Sequence, residues 1–172
     1  MIDNWLKGLR ETRIHAGSED AQALVETAIS SLFLITLLLG AVEIGRVAYA
    51  AIEVSNAARA AAQYGAMNGG AFLSTDSTGM DSTGMLNAAQ GDAGDLGSLV
   101  QWASNPTYTC SCSGTGTASC TPPAGPTGCT TSHIIVTVTV NTKAVYNPLI
   151  YLPGITSKTI TLYGSAQQEV LQ

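Results

Sequence analysis

The sequence predicts an α+β fold in which one long N-terminal helix precedes a small antiparallel β-sheet domain. Three observations favour this fold: an apolar run of membrane length, its continuation at helical spacing, and two alternating Thr-rich segments near the C-terminus. No residue from Thr27 to Val42 is charged, and the flanking apolar residues extend the run to the ~20 residues that a helix needs to cross hydrocarbon. The helix is therefore expected to be a membrane anchor.

The pattern divides the chain into four segments. In order they are a basic arm, a long helix whose first half (about residues 24–45) spans the membrane, a Gly/Ser/Thr-rich flexible loop with room for a short helix, and a disulfide-stapled β domain: residues 1–20, 21–67, 68–105 and 106–172. The short helix is expected between Leu86 and Ala103. A tandem repeat, Asp76–Met80 and Asp81–Met85, predicts surface loop structure because its composition is of low complexity.

Charges before the span indicate its orientation. Lys7, Arg10 and Arg13 precede the apolar run, whereas Arg46 and Arg59 follow it, so the N-terminal arm is predicted to be cytoplasmic and the C-terminal domain extracytoplasmic. The whole chain carries a net charge of −5 and has only 11% charged residues. This composition lacks the clustered basic face of a nucleic-acid-binding protein, so no nucleic-acid partner is expected.

Four cysteines all follow the span, where an oxidising compartment allows disulfides: Cys110, Cys112, Cys120 and Cys129. Two disulfides are expected, and sequence leaves the pairing open among three arrangements. A bond between Cys110 and Cys112 is disfavoured because its ring would be strained, so both are expected to reach into the loop that ends at Cys129. A zinc site is the rival interpretation, but the spacings lack the paired knuckles of such sites.

Two segments with strand patterns predict the β domain. His133–Asn141 alternates Val and Thr with period two, and Lys158–Ala166 is its expected antiparallel partner; a shorter strand is expected at Tyr108–Ser111. The apolar connection Val145–Gly154 predicts either a short helix packed against the sheet or a hydrophobic surface for a partner. The small number of core residues elsewhere favours packing.

Catalytic chemistry finds little support in the sequence. The chain has two histidines, His15 before the span and His133 after it, so no hydrolase triad or multi-histidine metal site forms on one side of a membrane. Neither an enzyme activity nor a cofactor or small-molecule substrate is therefore expected. The loop aspartates also lack the spacing of a twelve-residue calcium loop.

Three local motifs carry a resemblance to a known family. The chain has Ala23-Leu-Val-Glu26 before the apolar run, Glu43-Ile-Gly45-Arg46 after it, and Asn56-Ala-Ala-Arg59 further along the helix. In these it resembles the TadE-like family, minor pilin-like proteins of the tight-adherence (Flp) branch of type IV pilus machinery. The resemblance implies a pilin-like fold with assembly residues on the helix: Glu26, Glu43, Gly45, Arg46, Asn56 and Arg59.

The resemblance also raises the question of processing. Some members are cut by a prepilin peptidase after a glycine five residues before a glutamate. Here Ala21 stands five residues before Glu26, so an intact chain is favoured over a cut after Ala21, and a cut after Gly17 comes third. Glu26 lies near the predicted start of the helix, where the N-terminal end of the helix dipole partly stabilises its charge.

The function implied by the resemblance is that of a pseudopilin or minor pilin of the bacterial inner membrane. It would support assembly of Flp-type adhesion pili and contact other assembly proteins or pilin subunits through its long helix. Whether it enters the filament or only assists assembly is left open. The alternative is a signal-anchored binding or adhesive domain unrelated to pili, whose anchor would tolerate scrambling and loss of Glu26.

Overall fold

The computed structural model describes residues 2–67, 81–120, 126–130, 132–149 and 158–171. The elements in chain order are α1 (Ile2–Met67), α2 (Ser82–Asp92), a 3₁₀ turn (Gly97–Leu99), β1 (Gln101–Cys112), β2 (Ser119–Cys120), β3 (Pro126–Thr127), β4 (Ile134–Tyr146) and β5 (Ile160–Leu171). A long N-terminal apolar helix followed by a small antiparallel sheet confirms the predicted α+β fold. The chain forms two compact units, Met1–Ile44 and Gly45–Gln172.

The sheet of the second unit has the strand order β1-β4-β5, and both pairings are antiparallel. Strands β4 and β5 pair without interruption from Ile135–Leu171 to Tyr146–Ile160, whereas β1 has two register shifts. On β4 the buried side chains alternate, and Val136, Val138 and Val140 point into the core. This is the face that the period-two pattern predicted, and the opposite face carries Thr137 and Thr139.

The second half of α1 covers the buried face of the sheet through very small side chains. Val54, Ala57 and Ala61 are fully buried in a cluster that also holds Val138 and Val140. Alanine brings little bulk to such a contact, so the helix backbone lies close to the strands.

Two residues of the sheet lie against the backbone of α1. The Thr142 hydroxyl donates a hydrogen bond to the Val54 carbonyl oxygen at 2.9 Å, which satisfies a polar group that is fully buried. Opposite Thr142 in the register is Gly164, where a Cβ atom would overlap the same carbonyl oxygen. Residue 164 therefore has to be glycine for α1 to lie this close to β5.

Helix α2 begins at a well-formed cap. The Asp81 side chain accepts a hydrogen bond from the Gly84 backbone N–H at 2.9 Å, as an N-cap residue does. The Tyr64 hydroxyl donates to the second oxygen of Asp81 at 3.0 Å, so one carboxylate joins α1 to α2. This hydrogen bond and the negative charge of Asp81 raise the pKa of Tyr64.

The segment after α1 differs from its prediction. The second copy of the repeat, Asp81–Met85, forms the cap and first turn of α2, not a surface loop, and Met85 is buried in the core. The short helix was expected later, within Leu86–Ala103, and the β domain was expected to begin at residue 106. Strand β1 begins instead at Gln101, because Gln101 and Trp102 pair with Lys143 and Thr142 of β4.

Two predictions fall partly or wholly outside the described residues. They concern the first repeat copy, Asp76–Met80, and residues 150–154 of the apolar connection. In the described part of that connection, Leu149 is 74% exposed and Val145 is 46% exposed. Packing against the sheet, which was the favoured interpretation, is thus wrong for Leu149.

Candidate functional site on the long helix

The first feature of α1 is an apolar surface with no protein cover. Every side chain from Asp20 to Val42 is exposed, including large ones such as Leu32, Phe33 and Leu38. In the described part of the chain, one helix, over Asp20–Met67, is long and apolar enough to cross a membrane. This stretch is a candidate membrane anchor, because exposed apolar surface on this scale needs an apolar surrounding.

Three hydroxyl side chains within the apolar stretch donate hydrogen bonds to the backbone of the same helix. Thr27 and Thr36 donate to the carbonyl oxygens of the residues four positions earlier, both at 2.8 Å, and Ser31 donates to the Ala28 carbonyl oxygen at 2.9 Å. Such back-bonding hides hydroxyl groups where no water is present to bind them. These hydroxyls therefore do not oppose insertion into hydrocarbon.

The residues singled out by the sequence motifs are spread along α1 and do not form one cluster. Ala21, Glu26, Gly45, Asn56 and Arg59 are exposed, whereas Glu43 and Arg46 are half-buried. Gly45 has open space around it, so its Cα would accept a side chain without any contact within 4 Å. Asn56 and Arg59 lie three residues apart on the side of the helix that faces away from the buried alanines.

Arg46 is a motif residue that contacts the sheet. Its guanidinium carbon lies 5.5 Å from the centre of the Tyr146 ring, within the range of a cation–π contact. Tyr146 is the last residue of β4 and is buried. This contact could not be predicted from the sequence, because the two residues are 100 positions apart and each belongs to a different local pattern.

A buried carboxylate was also missed by the sequence patterns. Glu53 is 8% exposed, and its Oε2 atom has no hydrogen-bond partner among the described residues. The pKa of Tyr49 is raised, first by a hydrogen bond with Glu53 and then by the negative charges of Glu53 and Asp95. Residue 53 recurs at helical spacing with the buried residues of α1. This spacing is the signal in the sequence that could have predicted the burial of Glu53.

The cysteines form two disulfides, Cys110–Cys120 and Cys112–Cys129, with Cα atoms 5.7 Å and 5.8 Å apart. Both residues of β1 thus reach into the loop that ends at Cys129, as expected. Cys110 and Cys120 pack with Val136 and Tyr108 in a small cluster of their own. Across the described ranges no group of three or more His, Cys, Asp or Glu side chains is placed to hold a metal ion.

Comparisons with known proteins single out the same helix. Comparisons with curated proteins and with solved structures gave no match. The matched part in a scan of family models is about a quarter of the chain, and it contains the motif residues Glu26, Glu43, Gly45, Arg46, Asn56 and Arg59 but no strand. Residues 21–63 match the family model described as TadE-like protein, which confirms the resemblance predicted from the motifs.

Proposed function

We propose that the chain is a membrane-anchored pseudopilin or minor pilin that supports assembly of Flp-type adhesion pili. The observation that carries the proposal is the coincidence of the family match with the exposed helix: residues 21–63 contain the whole uncovered apolar stretch and the motif residues at its two ends. The role is structural, and no catalytic step is assigned to it.

In this proposal the helix has two surfaces with different tasks. The stretch from Leu24 to about residue 45 spans the bacterial inner membrane, with the basic arm in the cytoplasm and the sheet outside. Beyond it, one side of α1 binds the chain's own sheet, and the side with Asn56 and Arg59 is left for pilus assembly proteins or pilin subunits. The small residues around the helix support close approach of a second helix.

A deletion strain tests the proposal. Deleting the gene for this chain in its native host is expected to abolish surface pili. A plasmid-borne copy of the gene that adds a C-terminal tag is expected to restore them. In the restored cells the tag should remain with the membrane fraction and should be digested by protease added to spheroplasts. Normal piliation in the deletion strain, with the chain absent by immunoblot, would refute the pilus role.

The alternative, a tethered binding domain, predicts a different result from the same strains. Replacing the apolar run with a scrambled sequence of equal composition would leave such a domain anchored and active. An assembly element is expected to lose pili on scrambling while its membrane level stays unchanged, because helix packing depends on which side chains face the partner.

A further inference from the structure

One end of the sheet has an unusual surface for an acidic chain. Beyond Asp95 the sequence contains two lysines and one glutamate: Lys143, Lys158 and Glu169. The register places Lys143 opposite Tyr163, two residues before Val145, whereas Glu169 pairs with Thr137 near the other end of the sheet. Cationic, aromatic and apolar side chains are therefore gathered at one end, and the carboxylate lies at the other.

Two contacts show which end this is. Thr142 of β4 bonds to Val54 of α1, and Tyr146 contacts Arg46. From Thr142 to Tyr146 the strand advances about 13 Å, and from Val54 back to Arg46 the helix covers about 12 Å. Strand β4 therefore runs alongside α1, and its C-terminal end points towards Arg46. Arg46 is two residues past Ile44, at the place where α1 is proposed to leave the membrane.

Lys143 is half-buried at this end, and three other side chains are exposed. Leu149, three residues beyond Tyr146, is 74% exposed, Tyr163 is 70% exposed, and Lys158 is exposed as well. The carboxylates Glu43 and Glu53 lie on α1, and Asp95 lies between α2 and the 3₁₀ turn, so none of the three belongs to the strands that carry these side chains. The outer face of the sheet is thus cationic and apolar at the end where Tyr146 contacts Arg46.

We propose that this sheet end, made by Lys143, Val145, Leu149, Lys158 and Tyr163, lies on the headgroup layer of the membrane and binds anionic phospholipid. The proposal rests on the membrane anchor of the proposed function. Tyr and Lys are typical of membrane interfaces, because each joins an apolar body to a polar end. Leu149 enters the acyl boundary, and the two lysines contact lipid phosphates. The surface that contacts lipid is distinct from the surface proposed to contact pilus proteins.

Tryptophan fluorescence in vesicles tests the contact with the full chain. Leu149→Trp places a reporter at the proposed lipid contact, and Thr137→Trp places a matched reporter on the same face at the far end of the sheet. Each variant is reconstituted into vesicles of phosphatidylcholine and phosphatidylglycerol that contain doxyl-labelled lipid. The signal of the native Trp5 and Trp102 is subtracted with the parent chain.

The expected result is loss of fluorescence and a blue shift for the reporter at 149, and neither for the reporter at 137. Adding Lys143→Gln and Lys158→Gln should reduce the quenching at 149 in these vesicles to the level seen in phosphatidylcholine alone. Equal quenching of both reporters would overturn the lipid contact. Quenching at 149 that depends on neither phosphatidylglycerol nor the lysines would overturn the binding of anionic headgroups.

Flotation after a carbonate wash separates this inference from the proposed anchor. Chains that do not float with the vesicles would refute the anchor and, with it, the lipid contact. Chains that float but leave the reporter at 149 unquenched would refute the lipid contact alone. A reporter at 149 that lipid does not quench, but that pilus proteins protect from acrylamide, would reassign the surface to a protein partner.

Discussion

Gly164→Ala is expected to destabilise the helix–sheet unit by about 3 kcal/mol, the larger of two stability effects that the structure predicts. The added methyl group would overlap the Val54 carbonyl oxygen, and it would lie 2.8 Å from the Thr142 hydroxyl. A backbone atom cannot move aside as a flexible side chain can. The helix must therefore shift away from β5, which also weakens the hydrogen bond between Thr142 and Val54.

The measurement is urea unfolding of the full chain in detergent, followed by Trp102, which packs against the core cluster. Gly91→Ala is the matched control, because it makes the same chemical change in α2, where nothing lies within 4 Å of the added atom. Alanine is the better helix former, so Gly91→Ala is expected to stabilise the unit by up to about 1 kcal/mol. Equal effects of the two substitutions would show that α1 does not approach β5 closely.

Ala61→Leu is expected to be the second most damaging substitution, at about 2 kcal/mol. Ala61 is fully buried, and α1 has no spare room on this side: at the neighbouring position Gly65, a Cβ would lie 2.9 Å from the Met85 methyl and 3.2 Å from a Val138 methyl. Three extra carbons at residue 61 would force these side chains from their positions or push the helix outward.

Ala48→Leu serves as the control for Ala61→Leu, because Ala48 is exposed on the same helix. A leucine there is expected to change the free energy of unfolding by less than about 0.5 kcal/mol. Both variants are compared by the same urea titration. The packing of α1 on the sheet would be contradicted if leucine at residue 61 were tolerated as well as leucine at residue 48.

The sequence predicted the parts of the fold that have a local period. The uncharged run predicted the exposed part of α1, and the alternation of Val136, Val138 and Val140 predicted the buried face of β4, because both patterns repeat over a few residues. The start of α2 was missed for the opposite reason. Its low-complexity residues are helical because Asp81 caps them, Tyr64 binds Asp81 and Met85 fills the core.

Only part of the candidate site could be predicted from the sequence, as was the case for the fold. The motif residues on α1 could be named from sequence, since they are close together in the chain and their spacing is fixed by the helix. The contact between Arg46 and Tyr146, the need for glycine at residue 164 and the burial of Glu53 could not. Each depends on how closely α1 approaches the sheet, and this distance has no counterpart in any local pattern.

Glu26→Ala in the native host tests most directly the claim that the apolar helix is a specific assembly element. Glu26 is exposed on α1, and its replacement removes one charge without making the span less apolar, so anchoring should persist. The measurement is surface piliation by electron microscopy beside the membrane level of a C-terminally tagged chain. The account predicts that cells with Glu26→Ala lose pili as the deletion strain does, although the membrane level of the tagged chain is unchanged. Normal pili on cells whose chain carries Glu26→Ala would contradict it and would favour a passive anchor for a binding domain.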